Sequence, residues 1–225
     1  FEASDELWHY PMVQVIAQTG ELPVQDAAAP GLWRQEGSQP PLYYLAAAAL
    51  TAGIDTSDLD AIRRVNPHAD IGLVRPDGNV NMIVHRAAAE AWPWQGTALA
   101  VHIARLFSVA LGAGTVLVTY GLGRRLFPER PEVRLGAAAL NAFLPMFLFL
   151  SGSVNNDNLS NLLGNLLTLE IVILLGARAQ PRWWLYALIG ITAGAGMLAK
   201  FNIGFLLPVI AASLLVLSTR LRSWR

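Results

Sequence analysis

The 225-residue chain has no cysteine, which excludes a disulfide scaffold, a thiolate metal centre and a cysteine nucleophile. Lysine is almost missing too: Lys200 is the single lysine among 16 basic residues, so nearly all positive charge is arginine. Charge of either sign is scarce, at 14% of residues against roughly 25% in an ordinary globular domain. With 16 acidic residues the formal net charge is zero, and no field of one sign invites nucleic acid as a partner. No Walker loop, dinucleotide fingerprint or Ser-His-Asp ordering can be defended. There is no internal repeat, heptad seam or low-complexity tract.

What the chain has in quantity is apolar length. Residues are 54% hydrophobic, and five runs are candidates to cross a membrane: 97–122, 135–152, 159–177, 184–199 and 203–218. At about 1.5 Å rise per residue the longest can cross a hydrocarbon core of about 30 Å. Trp92 and Trp94 precede the first run where an interfacial belt would place them. The fold class expected is therefore all-α, a polytopic transmembrane helix bundle over 97–225.

The charges are segregated along the chain. Twelve acidic residues lie before residue 97, whereas ten of the basic ones follow Arg105. The connections RRLFPERPEVR and RAQPR and the tail RLRSWR are arginine-rich, so the positive-inside rule places them in the cytoplasm. Alternation then puts residues 1–96, the SGSVNNDN turn and the AKFN turn on the outer face. An additional span ahead of Phe1 is expected, to carry the acidic stretch there. The long extracytoplasmic first loop, 1–96, reads as a helix over 5–19, a break at Gly20 to Pro23, and a short apolar helix opened by Pro40 and Pro41 and ending near Gly53. That second helix, with Tyr43 and Tyr44 near its start, suits the interface. A small hairpin about a Pro-Asp-Gly turn is expected within 71–84.

Asp5, Glu6 and His9 fall at i, i+1 and i+4, so the three can share one face of the first helix. Two adjacent carboxylates push their pKa values apart and make one the better base. The rival reading is that Ser4 or Asp5 merely caps the helix. A divalent cation needs more ligands than these three supply, so no metal site is assigned, and cofactor need stays open. In SVNNDN, Asn156 and Asp157 open the next run, and Asp157, Asn161 and Asn165 recur every four residues along one face that should look into the bundle. Capping of that helix is again the alternative. Lys200 lies at the outer end of a span, and Arg105 about two turns into its own. A charge at that depth costs about 2.5–3.5 kcal/mol and should pair or serve a ligand. Together the two cations can grip a phosphate, with snorkelling to lipid headgroups as the rival. Glu170 is expected to pair within the bundle or belong to an interface. Tyr43, Tyr44, Trp8 and Trp33 can line a sugar or prenyl groove or anchor at the interface. His85 and His102 say nothing by themselves.

Six motifs in order, DExxHY (5–10), QPPLYYL (39–45), HIARL (102–106), YGLGRRLFP (120–128), SVNNDN (153–158) and GAGMLAKFN (194–202), resemble the GT-C superfamily of integral-membrane glycosyltransferases. Protein O-mannosyltransferases and lipid A aminoarabinose transferases are examples, and the likeness is to a bacterial branch. Members usually run longer, so the chain corresponds to an amino-terminal part. The resemblance implies a polyprenyl-phosphate-linked sugar as donor, transfer to an acceptor on the outer face of the cytoplasmic membrane, and inversion at the sugar carbon. It implies Asp5 as general base, with Glu6 tuning it, and Asp157 as the second acidic residue of the site. His9, Asn156, Tyr43, Lys200 and Arg105 are then the substrate-binding candidates. The alternative is an inactive relative that serves as a structural subunit packed against other membrane chains; membrane lipid is a partner in either case.

Overall fold

In the computed structural model of the chain, residues 1–3, 5–69 and 81–222 are described. They form ten α-helices and two 3-10 segments, and among them no strand longer than an isolated bridge. Two compact units result: Phe1–Val109 with Phe149–Asn155, and Ala110–Leu148 with Asn156–Arg225.

In the first unit, α1 (Glu6–Thr19) stops at Gly20, whose φ of 71° is a left-handed cap that returns its N–H to the Ile16 carbonyl. Pro11 sits inside this helix and has no N–H to offer Leu7, four residues earlier. The orphaned Leu7 carbonyl is taken by Arg63, whose Nε donates to it at 2.7 Å. One face of α1 buries Leu7, Tyr10, Met12, Val13 and Ile16 against α2 (Leu42–Thr51). Ala47 and Ala48 make that approach close, while Tyr43 and Tyr44, expected at a lipid boundary or groove, are fully buried inside the unit. The short helices α3 (Leu59–Ile62) and α4 (Ala87–Glu90) follow. α3 is preceded by Asp58, which caps α5 (Gly96–Leu126). Its Oδ1 accepts the Thr97 N–H at 2.9 Å and the Thr97 hydroxyl at 2.7 Å. Gly96 is required at this junction: its φ is 53°, and a Cβ there would lie 2.5 Å from Asp58 Oδ2.

The expected hairpin within 71–84 falls largely on residues outside those described. Its flank is described: Val65 and Ile83 form an antiparallel bridge, with Val84 N–H donating to the Arg64 carbonyl at 2.8 Å. Glu2 accepts the Met82 N–H at 2.8 Å. His85 lies between two carboxylates, Nε2 2.6 Å from Glu2 Oε1 and Nδ1 2.7 Å from Glu90 Oε2.

The run expected at 135–152 is broken. α6 (Pro131–Ala142) and α7 (Pro145–Ser151) meet at 61°. Pro145 disfavours helical backbone at Leu144 and supplies no N–H to the preceding turn, so the helix ends and restarts. α8 (Asp157–Gly176) and α9 (Trp183–Ala199) pack together, and a 3-10 stretch Phe201–Leu206 leads into α10 (Leu207–Arg222). Leu167, Ile171, Leu174, Leu185, Ile189, Ala193, Ile203 and Leu217 form the core. Ile203 wedges against α9 because Gly196 has no side chain; a Cβ there would stand 2.7 Å from Ile203 Cγ2. Polar groups within the apolar helices find one another. Asn141 donates to Thr119 Oγ1 at 2.9 Å, Asn165 approaches the same hydroxyl at 3.5 Å, and the Thr192 hydroxyl donates to buried Glu170 at 2.9 Å. Asn161, expected on the same inward face as Asn165, is exposed. Arg220 closes the end of α8, donating to the Leu175 and Ala177 carbonyls at 2.7 Å each.

Three helical stretches, Gly96–Leu126, Asp157–Gly176 and Phe201–Leu221, are long and apolar enough to cross a membrane, and the bent α6–α7 pair makes a fourth if it counts as one span. The remaining expected span corresponds to α9, an apolar helix of 17 residues, about 26 Å long at 1.5 Å per residue.

The His85 clamp carries a pH dependence. Its hydrogen bond to Glu90, and after that the one to Glu2, raise the His85 pKa against an opposing desolvation loss. Stability from a raised histidine is complete below the ordinary value of about 6.5 and is lost as pH rises through the elevated one. The protection factor of the Met82 amide is expected to fall between about pH 6 and about pH 9, and His85→Gln to show the low value at both; equal protection at both pH values in the unsubstituted chain excludes the clamp.

Candidate functional site

The acidic opening of α1 gives its two adjacent carboxylates opposite surroundings. Glu6 is fully buried. Arg105, two turns into α5, grips it with a fork, Nε to Oε1 at 2.9 Å and Nη2 to Oε2 at 2.6 Å. The backbone N–H of Val154 adds a third donor at 2.8 Å. Asp5 instead keeps 39% of its side chain exposed. It makes no capping bond to α1, so the bland capping reading is not what its carboxylate does, and Ser4 lies outside the described residues. Asn155 Nδ2 donates to Asp5 Oδ2 at 3.0 Å, and His9 Nε2 lies 3.5 Å from the same oxygen.

Behind these groups stands Tyr43. Its hydroxyl pairs with Ser108 Oγ at 2.7 Å and accepts the Asn155 N–H at 3.2 Å. Burial pushes its pKa far above the usual phenol range, only partly offset by those two bonds, so it is a neutral strut that holds Asn155 in line with Asp5. His9 is also buried, with Nδ1 2.6 Å from the Tyr44 hydroxyl and 3.5 Å from Glu36 Oε2. Arg105 further borders a cavity of about 190 Å³, with Ile62, Ile83, Val101, His102 and Glu90 around it.

The second unit holds the remaining candidates. Asn156, fully buried, makes no capping bond to α8 but reaches back with Nδ2 to the Ala199 carbonyl at 3.3 Å. Asp157 accepts the Lys200 ammonium at 2.5 Å, both side chains being about 30% exposed. Ser160 donates to Asn202 Oδ1 at 3.2 Å, so the start of α8 and the AKFN turn are tied side by side. Among the described residues no three His, Asp or Glu side chains are arranged to hold a metal ion.

Asp5, Glu6, His9, Tyr43 and Arg105 are thus brought together in the first unit, and Asn156, Asp157 and Lys200 in the second. Sequence reasoning missed Asn155, Ser108 and Glu36, and it gave Tyr44 a groove or interface place where the fold buries it beside His9. Asn155 stood inside a motif already singled out, but nothing distinguished it from its neighbours. Glu36 lies in a polar stretch with no periodicity, and only its burial in the folded chain marks it.

Residues 97–225, more than half of the chain, match the family model described as dolichyl-phosphate-mannose-protein mannosyltransferase. No curated protein and no solved structure matches the chain significantly. The chain belongs to this family, which is of the GT-C type and implies membrane glycosyltransferase activity; with its apolar helices, that makes it an integral membrane protein. The acidic opening, with Asp5 and Glu6, lies outside the matched segment.

The fork between Arg105 and Glu6 has a measurable worth. Arg105→Ala leaves a buried carboxylate unpaired and is expected to cost about 3–5 kcal/mol, seen as a lowered unfolding midpoint in detergent. Arg105→Lys, which keeps the charge and loses the fork, is expected to cost less. An Arg105→Ala protein that unfolds at the unsubstituted midpoint disproves the clamp.

Proposed function

We propose that this member of the dolichyl-phosphate-mannose-protein mannosyltransferase family moves a sugar from a polyprenyl-phosphate carrier to an acceptor hydroxyl on the outer face of the membrane, with Asp5 as general base. The observation that carries the reading is the divergence of two neighbouring carboxylates. Glu6 is consumed by Arg105 and Val154, whereas Asp5 is half-exposed and oriented by Asn155. Adjacent acids held in different environments are the arrangement by which one stays a fixed charge and the other handles a proton.

In the proposed reaction Asp5 takes the proton from the acceptor hydroxyl. The acceptor oxygen bonds to the anomeric carbon, and the bond from that carbon to the phosphate oxygen breaks, its electron pair leaving with the phosphate. A single displacement inverts the sugar carbon. Arg105 then acts through Glu6, by fixing the start of α1, in place of the direct phosphate contact expected of it. The positive-inside arrangement of the arginine-rich connections supports an outer-face acceptor.

One substitution tests the role of Asp5, using dolichyl-phosphate mannose as donor and measuring release of dolichyl phosphate. Asp5→Asn is expected to lower turnover by about 10²–10⁴ while the unfolding midpoint stays put. Unchanged turnover removes Asp5 as base.

A further inference from the structure

The folded chain buries a carboxylate and an imidazole that the transfer reaction above leaves idle. Glu36, on the 3-10 segment Arg34–Ser38, is 5% exposed, and His9, on α1, is 3% exposed. Both belong to the first unit. Side chains from three segments face the His9 ring. Asp5 on its own helix approaches Nε2 at 3.5 Å, Glu36 approaches Nδ1 at 3.5 Å, and the Tyr44 hydroxyl on α2 is 2.6 Å from Nδ1. The Tyr44 ring stacks along the imidazole with centroids 5.8 Å apart. Gln35 Nε2 donates to Glu36 Oε1 at 3.1 Å and orients that carboxylate, while Arg34 is turned away over the Trp8 ring, 5.2 Å from its centroid. An imidazole thus stands between two carboxylates, one buried and one open to solvent. Burying a carboxylate costs several kcal/mol unless a charge or hydrogen bond offsets it. A packing role alone is met more cheaply by an apolar side chain.

Resting on the assignment of Asp5 as base, we propose that His9 and Glu36 form a proton relay behind it, with Glu36 as a positioning residue that acts through His9. With Nδ1 carrying its hydrogen toward Tyr44 and Glu36, the lone pair of Nε2 faces Asp5. The acceptor O–H bond breaks and its proton goes to Asp5; the proton then passes from Asp5 to Nε2, restoring the Asp5 carboxylate. The imidazolium so formed lies between Asp5 and Glu36, which balance its charge. After the phosphate departs with its electron pair, the proton returns through Asp5, the partly exposed member, to water. The orienting carboxylate of a catalytic triad acts on its imidazole in the same sense, by holding the ring's tautomer and stabilising its cation.

The relay is tested by turnover of dolichyl-phosphate mannose in the full chain. Glu36→Gln is expected to lower kcat about tenfold or more with donor and acceptor KM unchanged. Glu36→Asp is expected to recover part of the loss. A Glu36→Gln protein with the parental kcat overturns the relay while leaving Asp5 as base intact; full turnover in Asp5→Asn overturns the assignment on which it rests. Should Glu36→Gln fail to fold, nitrogen NMR of the His9 ring in the unsubstituted chain decides. A hydrogen on Nδ1 in the neutral form supports the relay, and a hydrogen on Nε2 overturns it.

Discussion

The buried fork between Glu6 and Arg105 is the interaction on which the organisation of the first unit depends. A carboxylate with no exposed surface cannot be tolerated alone, and a guanidinium two turns into an apolar helix cannot either. Each is the other's remedy. Their union fixes the start of α1 against α5 and leaves Glu6 Oε1, which accepts Arg105 Nε, able also to accept the Val154 N–H. That backbone contact places Asn155 next in line, where its side chain meets Asp5 and its N–H meets Tyr43. One ion pair therefore settles the position of three segments far apart in the chain and, through them, the surroundings of Asp5.

The same economy governs the apolar helices. No water is at hand in hydrocarbon, so polar groups there are drawn to partners inside the protein. Thr119 serves Asn141 and Asn165, Thr192 serves Glu170, and the carbonyls that α8 leaves open at its end are closed by Arg220. Where backbone pairing cannot be kept, as ahead of Pro145, the helix turns by 61° instead of running on.

Similar groups stand in unlike environments. Glu6 is buried in the Arg105 fork, Asp5 is partly exposed beside Asn155, and Glu36 is buried facing an imidazole. Tyr43 is kept neutral by burial and works as a strut. Asp157 and Lys200 form a half-exposed pair of the sort that contributes under about 1 kcal/mol to stability. Such a pair does little to hold the fold together.

The main apolar helices and the membrane character of this protein were determined by its sequence alone. These depend on apolar run length, on proline and glycine at fixed places such as Pro40 and Gly20, and on side chains within four residues of one another, as Asp5 and His9 are, whereas the break at Pro145 inside the run expected at 135–152 came from the structure. The family was legible for the same reason, since its motifs are short and ordered along the chain. What only the tertiary structure decided was which polar groups pair. Glu6 meets Arg105 across 99 residues, His9 meets Tyr44 across 35, and Asn155 meets Asp5 across 150. Tyr43 and Tyr44 looked like interfacial or groove aromatics and are core. Glu36 carried no pattern at all. Local chemistry specifies where a helix starts and stops, whereas the partner of a buried charge is whatever packing brings within about 3 Å, and no spacing rule encodes that.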